Sequence, residues 1–457
     1  MAVSTKRQMA VCLLAIALAA CGASGSESVR SDGIGPVSPS SSSEVIGSST
    51  LETTTTGAIS VGSESCASGE TVRLREDASV VLEEIASEDG LTVFAAEYPL
   101  SGPTEGLWSQ WGQGIVASTG LHYSAVGDEL GPDGNSYVYR YDPATRELTR
   151  VMDVLSLTDH QPGAWGYGKI HSQMVEDACG SIWFFTYWGT QEDLVYGKGY
   201  EGDLLLQLDP VSGTITNHGP VVGHRGVPSL RATSDGRYLV AEAVEPGTEE
   251  GSLVVIDTAT AGILHDVSDP GHVGFRALAE DAEGRILYSY YDQRLMALDV
   301  ATGEVTDPGT HLPADEWDFL RAATPLTSDG SFYAAMQEND VLFRVDSNGQ
   351  ITELGSAGEY TTSLAMTPDE RYVYFMPGAH GSSWEVGGYV RVIDTESGEI
   401  SNVVSLLEPF EEELGLLVGG TYSINYYEGR LIIGVNASPI GDDSGFGTVV
   451  LVVVEGL

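Results

Sequence analysis

A short phrase recurs six times in this sequence: an apolar run, an Asp, a few small residues, and a second run rich in β-branched residues. The last five of these Asp residues lie 42 to 48 positions apart. A period in the forties built from strands and tight turns is typical of a β-propeller, because a single blade cannot bury both of its faces. Asp suits the turn since its carboxylate accepts backbone N–H bonds. The six residues are Asp142, Asp209, Asp257, Asp299, Asp346 and Asp394.

Each of these outer hairpins follows an inner hairpin that has an Asp-Gly, Glu-Gly or similar turn. Counting the inner hairpins predicts an all-β fold of seven four-stranded antiparallel blades over residues 66–457. The first interval, from Asp142 to Asp209, is longer and carries an insertion, so six or eight blades remain alternatives. The last blade has three strands of its own. We expect residues 71–85 to supply its fourth strand and close the ring, which removes free sheet edges.

The first 65 residues carry targeting signals. Lys6 and Arg7 precede an apolar stretch, which predicts a signal peptide over residues 1–20. The following run, Leu18 to Cys21, resembles the bacterial lipobox, and this resemblance implies that Cys21 is lipidated; the alternative is a plain secretory signal with a chance Cys. Residues 21–65 are rich in Ser, Thr and Gly and predict a disordered tether. We therefore expect a protein lipid-anchored to the bacterial cell envelope, facing the periplasm or the outside.

The charge balance restricts the partners. With 66 acidic and 21 basic residues and a net charge of −45, nucleic acid and anionic membrane surfaces are poor partners. A solvated acidic surface is the plain interpretation, and broad binding of divalent cations is the alternative. The sequence has no EF-hand loop and no zinc-type His/Cys spacing, so we expect no metal and no cofactor, in a monomer. Cys66 and Cys179 form a disulfide or stay as two free thiols.

Three arginines introduce inner strands in successive blades, each between an apolar residue and Ala: Arg231, Arg276 and Arg321. Repeated positions in a ring converge on its axis, which predicts an electropositive mouth to the central channel. The planar guanidinium suits carboxylate or sulfate. The alternative is that each arginine pairs with an acid of the neighbouring blade and holds the ring together.

The second blade carries His171 at the corresponding place. Trp165 and Lys169 precede it, and Tyr187 follows on the next strand. Aromatic faces beside polar groups favour a sugar-binding cleft, although ordinary blade packing and a core histidine are alternatives. Irregular loops on a rigid scaffold often carry function, which adds four further candidates: Arg225, His380, Trp384 and Tyr422.

The repeat phrase V-I-D-T, found at Asp257 and Asp394, resembles those of bacterial secreted propellers of the YVTN and virginiamycin B lyase-like groups. This resemblance covers most of residues 100–457 and implies the fold. The run ending in His171, with Tyr187 downstream, is also similar to seven-bladed polysaccharide lyases such as ulvan lyases. That similarity implies His171 and Tyr187 as base and acid and arginines that neutralise a uronate, although the metal ligands of those lyases have no counterpart here.

Two function classes follow. The first is a surface propeller that binds an anionic glycan or protein at the channel mouth. The alternative is an enzyme that performs β-elimination on a uronate-containing polysaccharide, with His171 and Tyr187 as catalytic residues. The fold supports both classes. We favour binding, because the catalytic constellation is incomplete.

Overall fold

Seven antiparallel sheets form a ring, and the chain is a seven-bladed β-propeller. The computed structural model describes residues 67, 69–100, 109–187, 195–245, 251–268, 271, 277–313 and 318–457. The predicted signal peptide, lipidated Cys21 and tether lie outside the described residues, as do Cys66 and Arg276. Within the described range, the fold class and the count of seven blades are confirmed.

The strands follow the chain in blade order. Four strands precede the first blade: β1 (Thr71–Arg73), β2 (Ala78–Val81), β3 (Glu83–Glu88) and β4 (Leu91–Glu97). The first blade contains β5 (Ile115–Val116), β6 (His122–Gly127), β7 (Ser136–Asp142) and β8 (Glu147–Asp153). The second contains β9 (Val175–Glu176), β10 (Ile182–Phe185), β11 (Leu205–Asp209) and β12 (Thr214–Asn217). The third contains β13 (Gly226–Ala232), β14 (Tyr238–Val244), β15 (Gly251–Asp257) and β16 (Gly262–Ser268).

The remaining blades repeat this order. The fourth contains β17 (Ala279–Glu280), β18 (Ile286–Ser289), β19 (Arg294–Leu298) and β20 (Val305–His311). The fifth contains β21 (Leu320–Ala323), β22 (Phe332–Met336), β23 (Val341–Val345) and β24 (Ile351–Ser356). The sixth contains β25 (Leu364–Met366), β26 (Tyr372–Phe375), β27 (Tyr389–Asp394) and β28 (Ile400–Ser405). The seventh contains β29 (Leu416–Tyr427), β30 (Arg430–Pro439) and β31 (Thr448–Glu455).

Helical structure is sparse in the described residues. Three 3₁₀ turns occur, at Leu155–Leu157, Val195–Lys198 and Ser383–Val386. One α-helical turn, Leu407–Pro409, runs into a π-helical turn, Phe410–Leu414. No helix in the described part of the chain is long and apolar enough to cross a membrane.

The outer hairpins form as the repeat predicted. Each of the six repeat aspartates accepts a bond from the backbone N–H two residues further on, at 2.8–3.0 Å. This bond closes an Asx turn and sets the hairpin.

The hydrophobic core is divided among the seven gaps between blades. Seven clusters of buried side chains each combine residues of two adjacent blades, and together they run around the whole ring. The cluster between the seventh and first blades joins Phe94 and Leu451 to Tyr139 and Leu148, for example. Each blade therefore buries both faces only when both neighbours are present.

The strand that closes the ring was predicted wrongly. β4 pairs antiparallel with β31, so residues 91–97 rather than 71–85 supply the fourth strand of the seventh blade. The apolar run Val93 to Ala96 is buried, whereas residues 71–85 alternate with charges that need solvent. Those residues add outer strands instead: β1 pairs with β12, β2 with β8, and β3 with β4. We call β1 to β4 the N-terminal strap.

Candidate functional site

Residues at the same distance in sequence from the inner-hairpin turn of their blade are expected at similar positions along the axis of the channel. Trp111, His171 and Arg321 each lie nine residues before the turn glycine of their own blade. These glycines, Gly120, Gly180 and Gly330, share nearly the same φ of 79° to 82°. In an antiparallel blade, the loops that enter the first strand and join the second to the third lie at the opposite end from this turn. The three side chains therefore belong to one layer at the channel mouth.

Arg321 is the buried charge of this layer, with 2% of its surface exposed. Its Nε donates a hydrogen bond to the hydroxyl of Tyr360, at 2.5 Å. Its guanidinium carbon lies 5.1 Å from the ring centre of Tyr360 and 5.9 Å from that of Tyr422. Two of the side chains that contact this cation are therefore aromatic, in the geometry of a cation–π interaction.

His380 extends this group to the surface. Its exposed imidazole lies 4.2 Å from the ring of Tyr360, edge-on, and 5.9 Å from the ring of Tyr422. Tyr422 in turn packs with Trp111 and Ala379 in a small buried cluster. The structure therefore brings together three of the predicted site residues, Arg321, His380 and Tyr422, from the fifth, sixth and seventh blades.

Trp111 connects this group to the second blade. The ammonium of Lys169 lies 4.5 Å from the indole ring, and it forms an ion pair with Glu129. Glu129 belongs to the loop between β6 and β7, next to Asp128. Burial raises the pKa of Asp128 to about 6, against the opposing effect of N–H bonds from Leu130 and Asn135. A carboxyl group whose pKa is raised by burial thus lies next to Glu129, the ion-pair partner of Lys169.

His171 and Tyr187 also meet, as a stacked pair with ring centres 4.7 Å apart. His171 is 4% exposed, and its Nδ1 lies 3.0 Å from the carbonyl oxygen of Pro228 in the third blade. A carbonyl can only accept, so Nδ1 carries the proton. In the neutral ring the lone pair is then on Nε2, the tautomer that could act as a base.

Arg231 lies slightly closer to its inner-hairpin turn than Arg321 does. It pairs with Val240, four residues after Gly236, whereas the neighbours of Arg321 pair with Ala335 and Met336, five and six residues after Gly330. Its Nη1 donates to the carbonyl oxygen of Leu278 in the fourth blade, at 2.9 Å. Burial lowers the pKa of this guanidinium, and Glu280 acts in the opposite direction. Arg231 and Arg321 both reach the next blade, through a carbonyl and a phenol respectively.

Three other predicted site residues contact side chains or backbone outside the Arg321 group. Arg225 makes a two-pronged ion pair with Asp266, at 2.7 and 3.0 Å. Trp165 is buried and packs edge-on against Tyr200, with ring centres 6.1 Å apart. Trp384 donates its indole N–H to the Gly381 carbonyl of its own loop, at 3.0 Å. These contacts do not connect them to the Arg321 group.

Sequence reasoning missed Trp111 and Tyr360. Trp111 carried a usable signal, because it has the same register as His171 relative to the turn glycine. Tyr360 precedes the inner strand of the sixth blade, whose turn has Glu370 at a positive φ of 61° in place of glycine. Tyr360 lies ten residues before Glu370, so it does not share the nine-residue spacing of Trp111, His171 and Arg321.

Cys179 is disulfide-bonded, and the other three cysteines lie outside the described residues. Its pairing with Cys66 therefore remains a prediction. Among the residues that the structure describes, no cluster of three or more His, Cys, Asp or Glu side chains could hold a metal ion.

The fold and the mouth together define a seven-bladed propeller with an aromatic and cationic channel entrance. Among solved structures it is similar to virginiamycin B lyase from Staphylococcus aureus, at 9% identity and a TM-score of 0.50, covering 79% of this chain and 99% of that one. A catalytically inactive variant of that lyase with quinupristin gives the same values. The similarity expected from the repeat is confirmed for the fold alone.

Weaker similarity links the chain to a periplasmic gluconolactonase from Pseudomonas aeruginosa, at 18% identity and a TM-score of 0.43 over 64% of this chain and 84% of that one. A putative 6-phosphogluconolactonase from Bacteroides uniformis has 14% identity and a TM-score of 0.44, over 64% and 83%. No family model and no curated protein matches the sequence.

Proposed function

We propose that this protein is a monomeric, lipid-anchored propeller of the bacterial cell envelope, facing the periplasm or the outside, that binds an anionic glycan at its channel mouth. The lipid on Cys21 would be its only link to the membrane. An acidic protein is the alternative ligand, and neither nucleic acid nor a cofactor takes part.

One observation carries the binding proposal. The Tyr360 hydroxyl accepts a hydrogen bond from Arg321, so its own proton must point elsewhere. A hydroxyl that accepts from a cation becomes a stronger donor, because linked hydrogen bonds polarise one another. Tyr360 is half-buried and His380 beside it is exposed. Together they offer an anion a polarised O–H and an imidazole above a buried positive charge.

The aromatic surroundings favour a sugar as the carrier of that anion. Tyr360, Tyr422 and Trp111 provide ring faces beside the polar groups. Pyranose rings present apolar C–H faces to such rings and hydroxyls at their rims. A uronate, which combines a sugar ring with a carboxylate, matches this combination.

Calorimetric titration with pectate, alginate and ulvan tests the proposal. Arg321→Gln should cost about 1.5–3 kcal/mol of binding free energy, the range for hydrogen bonds to charged groups. Tyr360→Phe should also weaken binding, and added salt should weaken it further. Tyr372→Phe is the matched control, since Tyr372 is an exposed tyrosine next to the turn at the other end of the same blade. The proposal would be contradicted if none of the three glycans bound, or if Tyr372→Phe weakened binding as much as Tyr360→Phe.

A polysaccharide lyase is the second candidate function. The observation that favours it is the stacked His171 and Tyr187 pair, with the His171 tautomer fixed by the Pro228 carbonyl. In β-elimination the imidazole would remove the proton next to the uronate carboxylate, and the phenol would protonate the leaving oxygen.

Ultraviolet absorbance separates the two candidates. A lyase should generate an unsaturated uronate whose absorbance rises with time, and His171→Ala should abolish that rise. Glycan binding without the rise would leave a binding module, and activity retained in His171→Ala would exclude His171 as the base.

A further inference from the structure

A buried acid without a counter-cation among its hydrogen-bond partners lies between the second and third blades. Asp203 is completely buried in the segment that leads into β11. Its Oδ2 accepts a bond from the Val227 N–H at 2.7 Å, and its Oδ1 lies 3.0 Å from the hydroxyl of Tyr200. Its own N–H donates to the Arg225 carbonyl oxygen, at 3.1 Å.

Counting protons at the Tyr200 hydroxyl shows what this arrangement requires. The hydroxyl oxygen lies 3.0 Å from Asp203 Oδ1 and 3.0 Å from the Arg225 carbonyl oxygen. The hydroxyl has one proton and the carbonyl has none to give. If Asp203 were ionised, its carboxylate and the Arg225 carbonyl oxygen would both be acceptors for the single Tyr200 proton, and one contact would lack a proton. A neutral Asp203 donates its own proton to Tyr200, and Tyr200 donates to the carbonyl, so each contact has a proton.

The surroundings also favour the neutral acid. Burial raises the pKa of Asp203 well above its usual range, against the N–H of Val227 and the hydroxyl of Tyr200. Among the described residues, Tyr167 interacts electrostatically with both members of this pair and Tyr187 interacts with Tyr200, and both groups are acids. The guanidinium of Arg225 is directed to Asp266 instead. An uncompensated buried carboxylate costs far more than a buried acid.

We propose that Asp203 is a protonated carboxylic acid in the folded protein and a positioning residue for His171. It holds the segment Arg225–Pro228 through the Val227 N–H and, by way of Tyr200, through the Arg225 carbonyl. The carbonyl of Pro228, at the end of that segment, accepts the Nδ1 proton of His171. This inference goes beyond the proposed function and stands whether or not the mouth binds an anion.

The test compares two buried aspartates of the second blade. Asn can replace a neutral acid, because its amide donates to Tyr200 and accepts from Val227. Asp177 instead accepts three bonds, from the N–H groups of Cys179, Ser181 and Trp183. At pH 7, Asp203→Asn should leave the urea midpoint equal to or above that of the wild type, and Asp177→Asn should lower it. A decrease in Asp203→Asn as large as that in Asp177→Asn would overturn the proposal.

Infrared difference spectroscopy reads the proton directly. The wild type at pH 7 should show a protonated-carboxyl band that Asp203→Asn lacks, and absence of that band overturns the proposal. If the Asn variant does not fold, Tyr200→Phe removes the acceptor of the acid and should shift the same band. An imidazole ¹H–¹⁵N spectrum should keep the His171 Nδ1–H signal in Asp203→Asn and shift it in Asp203→Ala. An unchanged signal in the Ala variant would overturn the positioning role.

Discussion

The two sides of the ring protect their outer edges differently. On the seventh, first and second blades, strands of the N-terminal strap pair with the outer edge and make five-stranded sheets. The third to sixth blades have four strands each in the described residues, with β16, β20, β24 and β28 outermost. These open edges all carry a register irregularity in their outermost pairing, and β20 also contains Pro308.

The difference shows two solutions to one problem. An unpaired strand edge can pair with another chain, and proteins prevent this by covering the edge or by distorting it. Bulges bend the edge and leave one residue out of the ladder. The strapped side covers its edges and joins the two ends of the ring, although the β3–β4 and β7–β8 pairings there are also irregular. The open side has the irregular pairings without a covering strand.

The largest expected effect comes from removing the strap. A chain that begins at Tyr98 lacks β4, so the seventh blade loses its pairing with β31 and two neighbouring clusters lose Val93 and Phe94. We expect no cooperative urea unfolding of this chain. A chain that begins at Glu83 keeps β3 and β4 and should still unfold cooperatively, because β1 and β2 are short and largely exposed. Equal stability of the two chains would show that β4 is not what closes the ring.

A smaller effect should distinguish the bonds between blades on the two sides. Glu280 on the open side is 3% exposed and accepts bonds from the backbone N–H and hydroxyl of Ser234, at 3.0–3.1 Å. Glu176 on the strapped side binds Ser118 in the same way but is more exposed. Glu280→Ala should lower the free energy of unfolding by about 1.5–3 kcal/mol. Glu176→Ala should lower it less, because water replaces the lost partner.

Urea denaturation measures both losses, and a double-mutant cycle isolates the pair. Adding Ser234→Ala to Glu280→Ala should cost less than Ser234→Ala alone. Equal costs would mean that the two side chains do not interact.

The smallest expected effect is on the loss of stability at acidic pH. Backbone N–H bonds hold the pKa of Asp299, Asp346 and Asp394 below the usual value in the outer turns of the open side. A lowered folded-state pKa adds stability above the unfolded-state pKa, about 3.9, and this stability is lost as pH falls through the folded-state value. Asp346→Asn should therefore flatten the decrease of the urea midpoint between about pH 5 and pH 2.

Asp209, in the corresponding turn of the strapped side, supplies the matched variant. Burial acts to raise its pKa, and bonds from Ser212 outweigh that effect, so the net pKa is lowered. We expect Asp209→Asn to flatten the same curve less than Asp346→Asn. If Asp209→Asn flattened the pH dependence of the urea midpoint more than Asp346→Asn, this expectation would be wrong.

The sequence predicted the ring because turn chemistry is local. Asp142 and its five counterparts fix their turns with bonds to residues two positions away, so spacing alone reveals the blades. The closing strand was missed because Thr71 and Leu91 begin stretches that both read as strands. Which of them pairs with β31 depends on burial across the ring, and that is not a local property.

The site was predicted in part for the same reason. Arg321, His380 and Tyr422 proved to be neighbours, because three successive blades bring them to one end of the channel. Arg231 was grouped with Arg321 from its neighbours in sequence, although strand pairing places Arg231 closer to its turn and its Nη1 bonds to the Leu278 carbonyl oxygen instead of an aromatic hydroxyl. Trp165 was chosen for its chemistry, and only the packing partner Tyr200 shows that its ring is covered.

The pairing of β4 with β31 also determines when the ring can close during synthesis and folding. Each hairpin joins neighbours in sequence and can form as soon as it is synthesised, but Glu97 pairs with Val450, which is made 353 residues later. Bringing such distant segments together costs loop entropy before any contact repays it. Until then β4 can pair only with β3, and the incomplete ring exposes an apolar blade face at each of its two ends. We therefore expect this protein to be most prone to aggregation in the interval before its ring closes.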